Sequence, residues 1–205
     1  MSRTCRSAGK FSEWLHVTEI SLKTGEGVAE VPCGECTACC RSFMFIPIKP
    51  EETRTLQRIP RELLTPAPGL PEGYQLLGYL DNGECPMFVN NACSIYEDRP
   101  QTCRSYDCRV FTATDIPVDP RTQPDILDRV MEWVFTYESE ESREDHRIVK
   151  EAAAFLLKNR EQFPKGSLPD HPTQIAALAI RISGFFRTTA KDDLIQAILG
   201  TVQSL

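Results

Sequence analysis

The sequence predicts an α+β protein in which short antiparallel strands and turns are followed by a C-terminal helical subdomain of about four helices. Two observations lead to this fold class. Before about residue 118, short apolar runs alternate with turn-forming residues, whereas after about residue 120 apolar residues repeat at helical spacing. We therefore predict a first domain over residues 1–118 and a C-terminal helical segment over residues 119–205.

The composition is that of a folded protein. The chain has 205 residues, of which 41% are hydrophobic and 25% are charged, so disorder of the whole chain is excluded. Its net charge of −6 argues against binding to nucleic acid or to an anionic membrane, because such binding needs a basic surface. The longest apolar runs, 43–46 and 175–180, are far shorter than the roughly 20 residues of a membrane-spanning helix. We expect neither nucleic acid nor a membrane among the partners.

Strands dominate the prediction for the first domain. Residues 14–22 alternate between apolar and polar, and Gly25 and Gly27 then predict an N-terminal hairpin that leads into the first cysteines. Further strands are predicted over 43–48 and 74–80. A helix over 51–64 is predicted between them.

Four helices are predicted in the C-terminal segment, because apolar residues there recur every three to four positions. The four periodic sets cover 126–137, 148–163, 175–186 and 194–202. Pro124 and Pro172 stand in the first turns of the first and third helices. Thr189 and Asp192 have the spacing of a capping box before the fourth.

Nine cysteines are the most informative feature of the sequence. Eight of them fall between residues 33 and 108, and none follows Cys108. A secreted disulfide scaffold is disfavoured, because residues 1–6 lead into no apolar signal segment. Clustered thiols in a reducing compartment are typical of metal ligands. We expect a cytoplasmic protein whose strands and turns surround a polycysteine metal site.

The first cysteine motif runs Cys33-Gly34-Glu35-Cys36-Thr37-Ala38-Cys39-Cys40. A C-x-x-C step lets two thiolates converge on one ion, and Gly34 eases the turn between them. Repeating the step gives the loop spacing of bacterial-type ferredoxins, and Cys85 is followed by proline, as the remote ferredoxin ligand often is. Cys40 suits the same four-ligand site poorly, because adjacent side chains are expected to diverge.

The cysteine count leaves the kind of metal site open. Eight thiolates suffice for two zinc sites, or for one iron–sulfur cluster with four thiols left over. Four thiolates around Zn²⁺ or around an oxidised four-iron cluster leave a local charge of about −2. Arg99 and Arg104 are close enough in sequence to offset this charge from outside the ligand shell. Tyr96 and Tyr106 are expected to cover the sulfurs.

The second cysteine motif runs from Cys85 to Cys108 and reads C-P-x6-C-x-I-Y-x-x-R-P-x-x-C-R-x-Y-x-C, with a turn at Asn90-Asn91 before its second cysteine. Together the motifs resemble the CxxCxxCC family of zinc- or iron-chelating domains, whose bacterial members are called YkgJ-type cysteine cluster proteins. The resemblance covers about residues 33–109. It implies a domain that chelates an iron–sulfur cluster or zinc and that occurs in small cytoplasmic proteins. It implies no particular reaction.

The predicted metal ligands are the eight cysteines of this signature: Cys33, Cys36, Cys39, Cys40, Cys85, Cys93, Cys103 and Cys108. Cys5 lies outside the pattern and is predicted to be a free thiol. The three histidines are interpreted as structural or surface residues. No Ser-His-Asp order, P-loop or G-x-G-x-x-G loop stands out, so no catalytic residue is predicted.

The predicted function is therefore a cysteine cluster protein that binds an iron–sulfur cluster, of the four-iron type, or zinc. A redox or radical-type enzyme would use the cluster form. One alternative is a structural-zinc interaction module whose helical half binds a partner protein. The other is a thiol-redox or metal-delivery protein.

Overall fold

Helices and short strands alternate along the chain in a computed structural model that describes residues 5–25, 27, 29, 31–33, 35–190 and 193–202. About 49% of the residues are helical and 11% are in strands, so the predicted α+β class is confirmed. Two units form. The first contains residues 1–25, 108–118 and 130–205, and the second contains residues 26–107 and 119–129. The domain boundary expected between residues 118 and 119 stays a prediction. Each of the two units is made of segments that are not continuous in sequence.

The first unit carries most of the helices. In chain order its elements are β1 (Arg6–Lys10), α1 (Phe11–Thr24), α4 (Arg109–Thr114), β7 (Trp133–Thr136), α6 (Glu140–Lys158), α7 (Pro172–Ile182), α8 (Phe185–Thr188) and α9 (Leu194–Val202). Helices α4, α6 and α7 pack against one another. Small residues such as Ala152 and Ala179 are fully buried there, which lets the helix backbones approach closely.

Helix α7 begins as predicted from its proline. Pro172 occupies the first turn, and the backbone N–H of Thr173 donates to Nδ1 of His171 at 3.3 Å. The capping box predicted before α9 includes Asp192, which lies outside the described residues. None of the helices described is long and apolar enough to cross a membrane.

The predicted N-terminal hairpin is wrong over residues 14–22, because residues Phe11–Thr24 form helix α1. Phe11 and Trp14 are its buried residues, whereas Val17 is 57% exposed. A spacing of three places Phe11 and Trp14 on one helix face, and this packing overrides the apparent alternation.

The helix predicted over 126–137 is also corrected. Helix α5 covers only Pro124–Val130, and Trp133–Thr136 form strand β7. Trp133 and Phe135 are buried while Val134 is 48% exposed, which is the period of a strand. Strand β7 pairs in parallel with β1, so a partner distant in sequence selects the strand conformation here.

The second unit is built on a three-stranded antiparallel sheet with strand order β2-β4-β3, comprising β2 (Ile46–Ile48), β3 (Leu64–Pro66) and β4 (Gln75–Leu77). The strands predicted over 43–48 and 74–80 are present in shorter form. The helix predicted over 51–64 is broken at Pro60 into α2 (Thr53–Arg58) and a 3-10 helix (Arg61–Leu63).

A hairpin and two short helices complete the second unit. Strands β5 (Phe88–Val89) and β6 (Ala92–Cys93) pair antiparallel. The predicted turn between them is confirmed, since Asn90 and Asn91 have φ of 52° and 60°. Helix α3 (Gln101–Ser105) and α5 follow.

Candidate metal centre

All nine cysteines are free thiols. Seven of those predicted as ligands belong to the second unit, and they come from the loop before β2, the β5–β6 hairpin with the residues preceding it, and helix α3. Residues far apart in sequence thus bring the same donor type to one unit.

The first cysteine loop is held by tight backbone turns. Cys36 N donates to Cys33 O at 3.1 Å, and Cys40 N donates to Thr37 O at 2.9 Å at the start of a 3-10 helix over Ala38–Arg41. Ser42, which is fully buried, closes that helix by donating from Oγ to Ala38 O at 2.5 Å. Gly34, predicted to ease the first turn, lies outside the described residues.

The remaining cysteine segments are fastened to this loop and to the sheet. Cys85 N donates to Cys40 O at 2.8 Å, which joins the two cysteine motifs directly. Strand β6 carries Cys93 opposite Phe88. Thr102 Oγ1 donates to Pro47 O at 2.7 Å, and this bond fixes helix α3, with Cys103, against β2.

Four thiols from these segments are close enough to perturb one another: Cys39, Cys85, Cys93 and Cys103, here called the four-thiol group. Burial raises the pKa of Cys103 far above its usual range, and the neighbouring thiols of Cys39, Cys85 and Cys93 raise it further. The pKa values of Cys85 and Cys93 are raised for the same reasons, burial first. A cation among these sulfurs would favour the thiolate forms that burial and mutual repulsion disfavour.

Three thiols of the four-thiol group, Cys85, Cys93 and Cys103, lie in or against an apolar core. Ile46, Ile48, Ile59, Leu77, Cys85, Met87 and Ile95 form this core, and Cys40, Tyr79, Cys93 and Cys103 pack on it. An apolar surrounding limits the access of water to the sulfurs and strengthens electrostatic interactions there.

Cys39 and Cys40 do not diverge as predicted. A hydrogen bond with the Cys40 thiol is the largest cause that raises the pKa of Cys39, and burial is the next. Cys39 also faces Cys33, so it connects the four-thiol group to the start of the loop.

Cys33 and Cys36 lie at the edge of the group. Burial raises the pKa of Cys33 to about 11, with further contributions from Cys36, Cys39 and Asp107. Arg129 opposes this increase. Cys33 is therefore partly buried and lies near both an acidic and a basic side chain.

The remaining two cysteines, Cys5 and Cys108, belong to the first unit. Cys5 is exposed. Cys108 is buried, and the Trp133 indole N–H donates to its sulfur at 3.2 Å. The ligand role predicted for Cys108 stays a prediction.

The two predicted arginines act differently. Arg99 opposes the rise that burial causes in the pKa values of Cys93 and Cys103, as expected of a cation that offsets thiolate charge. Its guanidinium lies 4.0 Å from the ring centroid of Tyr96 and donates to Tyr96 O at 2.6 Å. Arg104 donates from Nε to Arg99 O at 2.8 Å, so it supports the segment that presents Arg99. Arg41, the arginine next to Cys40, instead pairs with Asp125 at 2.7 Å.

One residue near the thiols was missed by sequence reasoning. Tyr96, predicted to cover the sulfurs, is 59% exposed. Tyr79 instead packs with Cys85 and Cys103, and its pKa is raised by burial and then by these two thiols. Tyr79 is two residues beyond the buried Leu77, so strand alternation would have placed it on the core side.

Comparison with known families identifies the segment that carries these thiols. Residues 32–123 match the CxxCxxCC family model, described as "Putative zinc- or iron-chelating domain". We refer to this matched segment as the CxxCxxCC domain. The resemblance predicted over residues 33–109 is thereby confirmed. No curated protein and no solved structure matches the chain significantly.

The donors of the CxxCxxCC domain fit a thiophilic metal in chemical type. Zinc and iron–sulfur clusters both take four cysteine thiolates, and the four-thiol group supplies that number from one unit. Within the described ranges, no three His, Cys, Asp or Glu side chains already stand in a metal-ligating arrangement.

Proposed function

We propose that the CxxCxxCC domain binds a metal centre, an iron–sulfur cluster or zinc, through the thiolates of Cys39, Cys85, Cys93 and Cys103. The observation that carries the proposal is that Cys85, Cys93 and Cys103, from separate segments, meet at one apolar core, on which Cys40, the neighbour of Cys39, also packs. Both metals share this ligand chemistry.

Protonation chemistry supports this choice of ligands. The metal-free thiols have raised pKa values and are neutral near pH 7. Metal binding needs thiolates, so it releases protons and its affinity rises with pH. The bound cation offsets the repulsion among the thiolates that this deprotonation creates.

Charge compensation is assigned to Arg99 and Arg104. Four thiolates with Zn²⁺ or with an oxidised four-iron cluster carry about −2. Arg99 faces Cys93 and Cys103, and Arg104 bonds the carbonyl of Arg99. In this proposal Arg99 offsets the charge, and Arg104 holds the backbone that presents it.

The other predicted ligands remain part of the proposal. Cys33 lies near Cys36 and Cys39, and Cys40 contacts the Cys39 thiol, so Cys33, Cys36 and Cys40 are donors that a larger or second metal site would recruit. Cys108 is the eighth donor of the signature. Thiols that bind metal must stay reduced, so we propose that the protein works in a reducing compartment such as the cytoplasm.

Anaerobic purification followed by quantification of iron, zinc and acid-labile sulfide tests the proposal. We expect bound iron with sulfide and visible thiolate-to-iron absorption, or zinc in a colourless protein. Replacing any cysteine of the four-thiol group by serine should abolish stable metal binding, whereas Cys5→Ser should retain it. Metal-free wild-type protein, or four-thiol variants that keep full metal content, would overturn the assignment.

The same measurements separate the alternatives. About two zinc ions per chain, with unfolding on chelation, would favour structural zinc and a helical half that binds a partner protein. Labile metal together with cysteines that oxidise and reduce reversibly would favour thiol-redox or metal-delivery chemistry.

A further inference from the structure

Tyr79 presents an unusual hydroxyl beside the four-thiol group. Its side-chain oxygen is buried and has no hydrogen-bond partner among the described residues. A buried hydroxyl without a partner is costly, and such groups commonly mark a function or a missing ligand.

The surroundings hold the Tyr79 ring in place. Tyr79 packs on the apolar core together with Cys85 and Cys103. On another side, the Phe43 ring lies edge-on at a centroid distance of 6.0 Å and an interplanar angle of 61°. Gly83 makes room for Phe43, because a Cβ at that position would collide with the Phe43 ring.

Phe43 is kept in this position despite an unfavourable backbone conformation. Its φ is 46°, in the left-handed region that a bulky residue seldom adopts, and its N–H donates to Gly83 O at 3.1 Å. Phe43 thus keeps a strained backbone conformation, and its ring supports Tyr79 beside the thiols.

The chemistry of sulfur identifies the acceptor that this hydroxyl lacks. A neutral thiol is a weak acceptor, whereas a thiolate carries the negative charge that makes a hydrogen bond strong. We propose that, in the metal-bound protein, the Tyr79 hydroxyl donates a hydrogen bond to the thiolate of Cys85 or Cys103. Tyr79 is then a positioning residue of the metal centre, and this role rests on the proposed function.

The experiment compares Tyr79→Phe with wild-type protein in anaerobic Co²⁺ titrations, followed by competition with Zn²⁺. Phenylalanine keeps the ring and removes only the hydroxyl. We expect Co²⁺ and Zn²⁺ affinity to fall about 10–100-fold, the usual effect of losing a partner of a metal ligand. The sulfur-to-cobalt absorption band should move to lower energy, because a sulfur without the hydrogen bond gives up its electrons more easily.

Tyr74→Phe is the matched control. Tyr74 comes directly before strand β4, which Tyr79 follows, and it is not part of the four-thiol group. It should leave affinity and absorption unchanged. The metal-free Tyr79→Phe protein should be at least as stable as wild type, because a buried unpaired hydroxyl has been removed.

Unchanged affinity and absorption in Tyr79→Phe would overturn the role of Tyr79 while leaving the metal centre intact. The same holds if both change equally in Tyr74→Phe. Wild-type protein that takes up neither Co²⁺ nor iron with sulfide would overturn the metal centre and the role of Tyr79 together.

Discussion

At the scale of single residues, His146 illustrates how burial sets protonation. Its imidazole is 6% exposed and stacks on Phe11 at a ring-centroid distance of 4.2 Å, and Nδ1 lies 2.6 Å from the Tyr137 hydroxyl. Burial, followed by the charge of Lys150, lowers its pKa to about 4, and Asp115 opposes the shift. The sequence-based interpretation of His146 as a structural residue agrees with this environment.

Stability should therefore fall in mild acid. The folded-state pKa of His146 lies below the ordinary value of 6.5, so the unfolded chain binds a proton between pH 6.5 and 4 that the folded chain does not. Below pH 6.5 the free energy of unfolding should decrease, by about 3 kcal/mol once pH 4 is passed. Urea unfolding at constant ionic strength, from pH 7 to pH 4, measures this loss.

Two variants isolate the contribution of His146. His146→Gln removes the titrating group and should flatten the pH dependence in this window, although it also lowers stability at pH 7. His16→Gln, at an exposed position of α1, should keep the wild-type dependence. Equal pH dependence in His146→Gln and wild-type protein would contradict the interpretation.

At the scale of elements, helix α6 begins earlier than its apolar pattern indicates. Apolar spacing predicts a helix from residue 148, yet α6 starts at Glu140. Ser139 caps the helix, because its Oγ accepts a hydrogen bond from Ser142 N at 3.1 Å. The carboxylates of Glu140 and Glu141 in the first turn interact favourably with the positive end of the helix dipole. Capping and charge thus favour helix N-terminal to its apolar residues, where Ser142 and His146 are buried.

Removing the cap should weaken the first unit. Ser139→Ala deletes the acceptor for Ser142 N, and we expect unfolding to become easier by about 1 kcal/mol. Ser139→Asp keeps an acceptor at that position and should stay near wild-type stability. Chemical denaturation of the three proteins measures the difference, and an Ala variant as stable as the Asp variant would contradict the capping role.

Element prediction failed where a distant partner decides the conformation. Strand β7 and helix α1 both contain apolar residues compatible with either period. The parallel pairing of β7 with β1, and the burial of Phe11 and Trp14, select one conformation in each case. The Asn90-Asn91 turn was predictable because positive φ at asparagine is a local property.

At the scale of the whole molecule, the proposed metal centre belongs to one of two units. The four-thiol group lies in the second unit, and helices α6 and α7 lie in the first. A ligand that binds only the folded state stabilises the part of the protein that contains its site. Metal removal should therefore affect the units unequally.

Hydrogen–deuterium exchange of the full chain, with and without anaerobic removal of the metal by a chelator, measures this inequality. Peptides from residues 35–105 should lose protection, because the metal would cross-link the first cysteine loop, the hairpin and α3. Peptides from α6 and α7 should exchange at unchanged rates. A uniform change across the chain, or no change in residues 35–105, would contradict this prediction.

Short-range sequence signals predicted the type of metal ligand and much of the local structure. The spacing of the cysteines predicted a metal-chelating domain, and short-range signals predicted the Asn90-Asn91 turn and the proline-led start of α7. Only the tertiary structure decided that Cys39, Cys85, Cys93 and Cys103 form one group and that Tyr79 lies beside it. Turns and ligand types depend on a few neighbouring residues, whereas the meeting of distant thiols depends on packing summed over the whole unit.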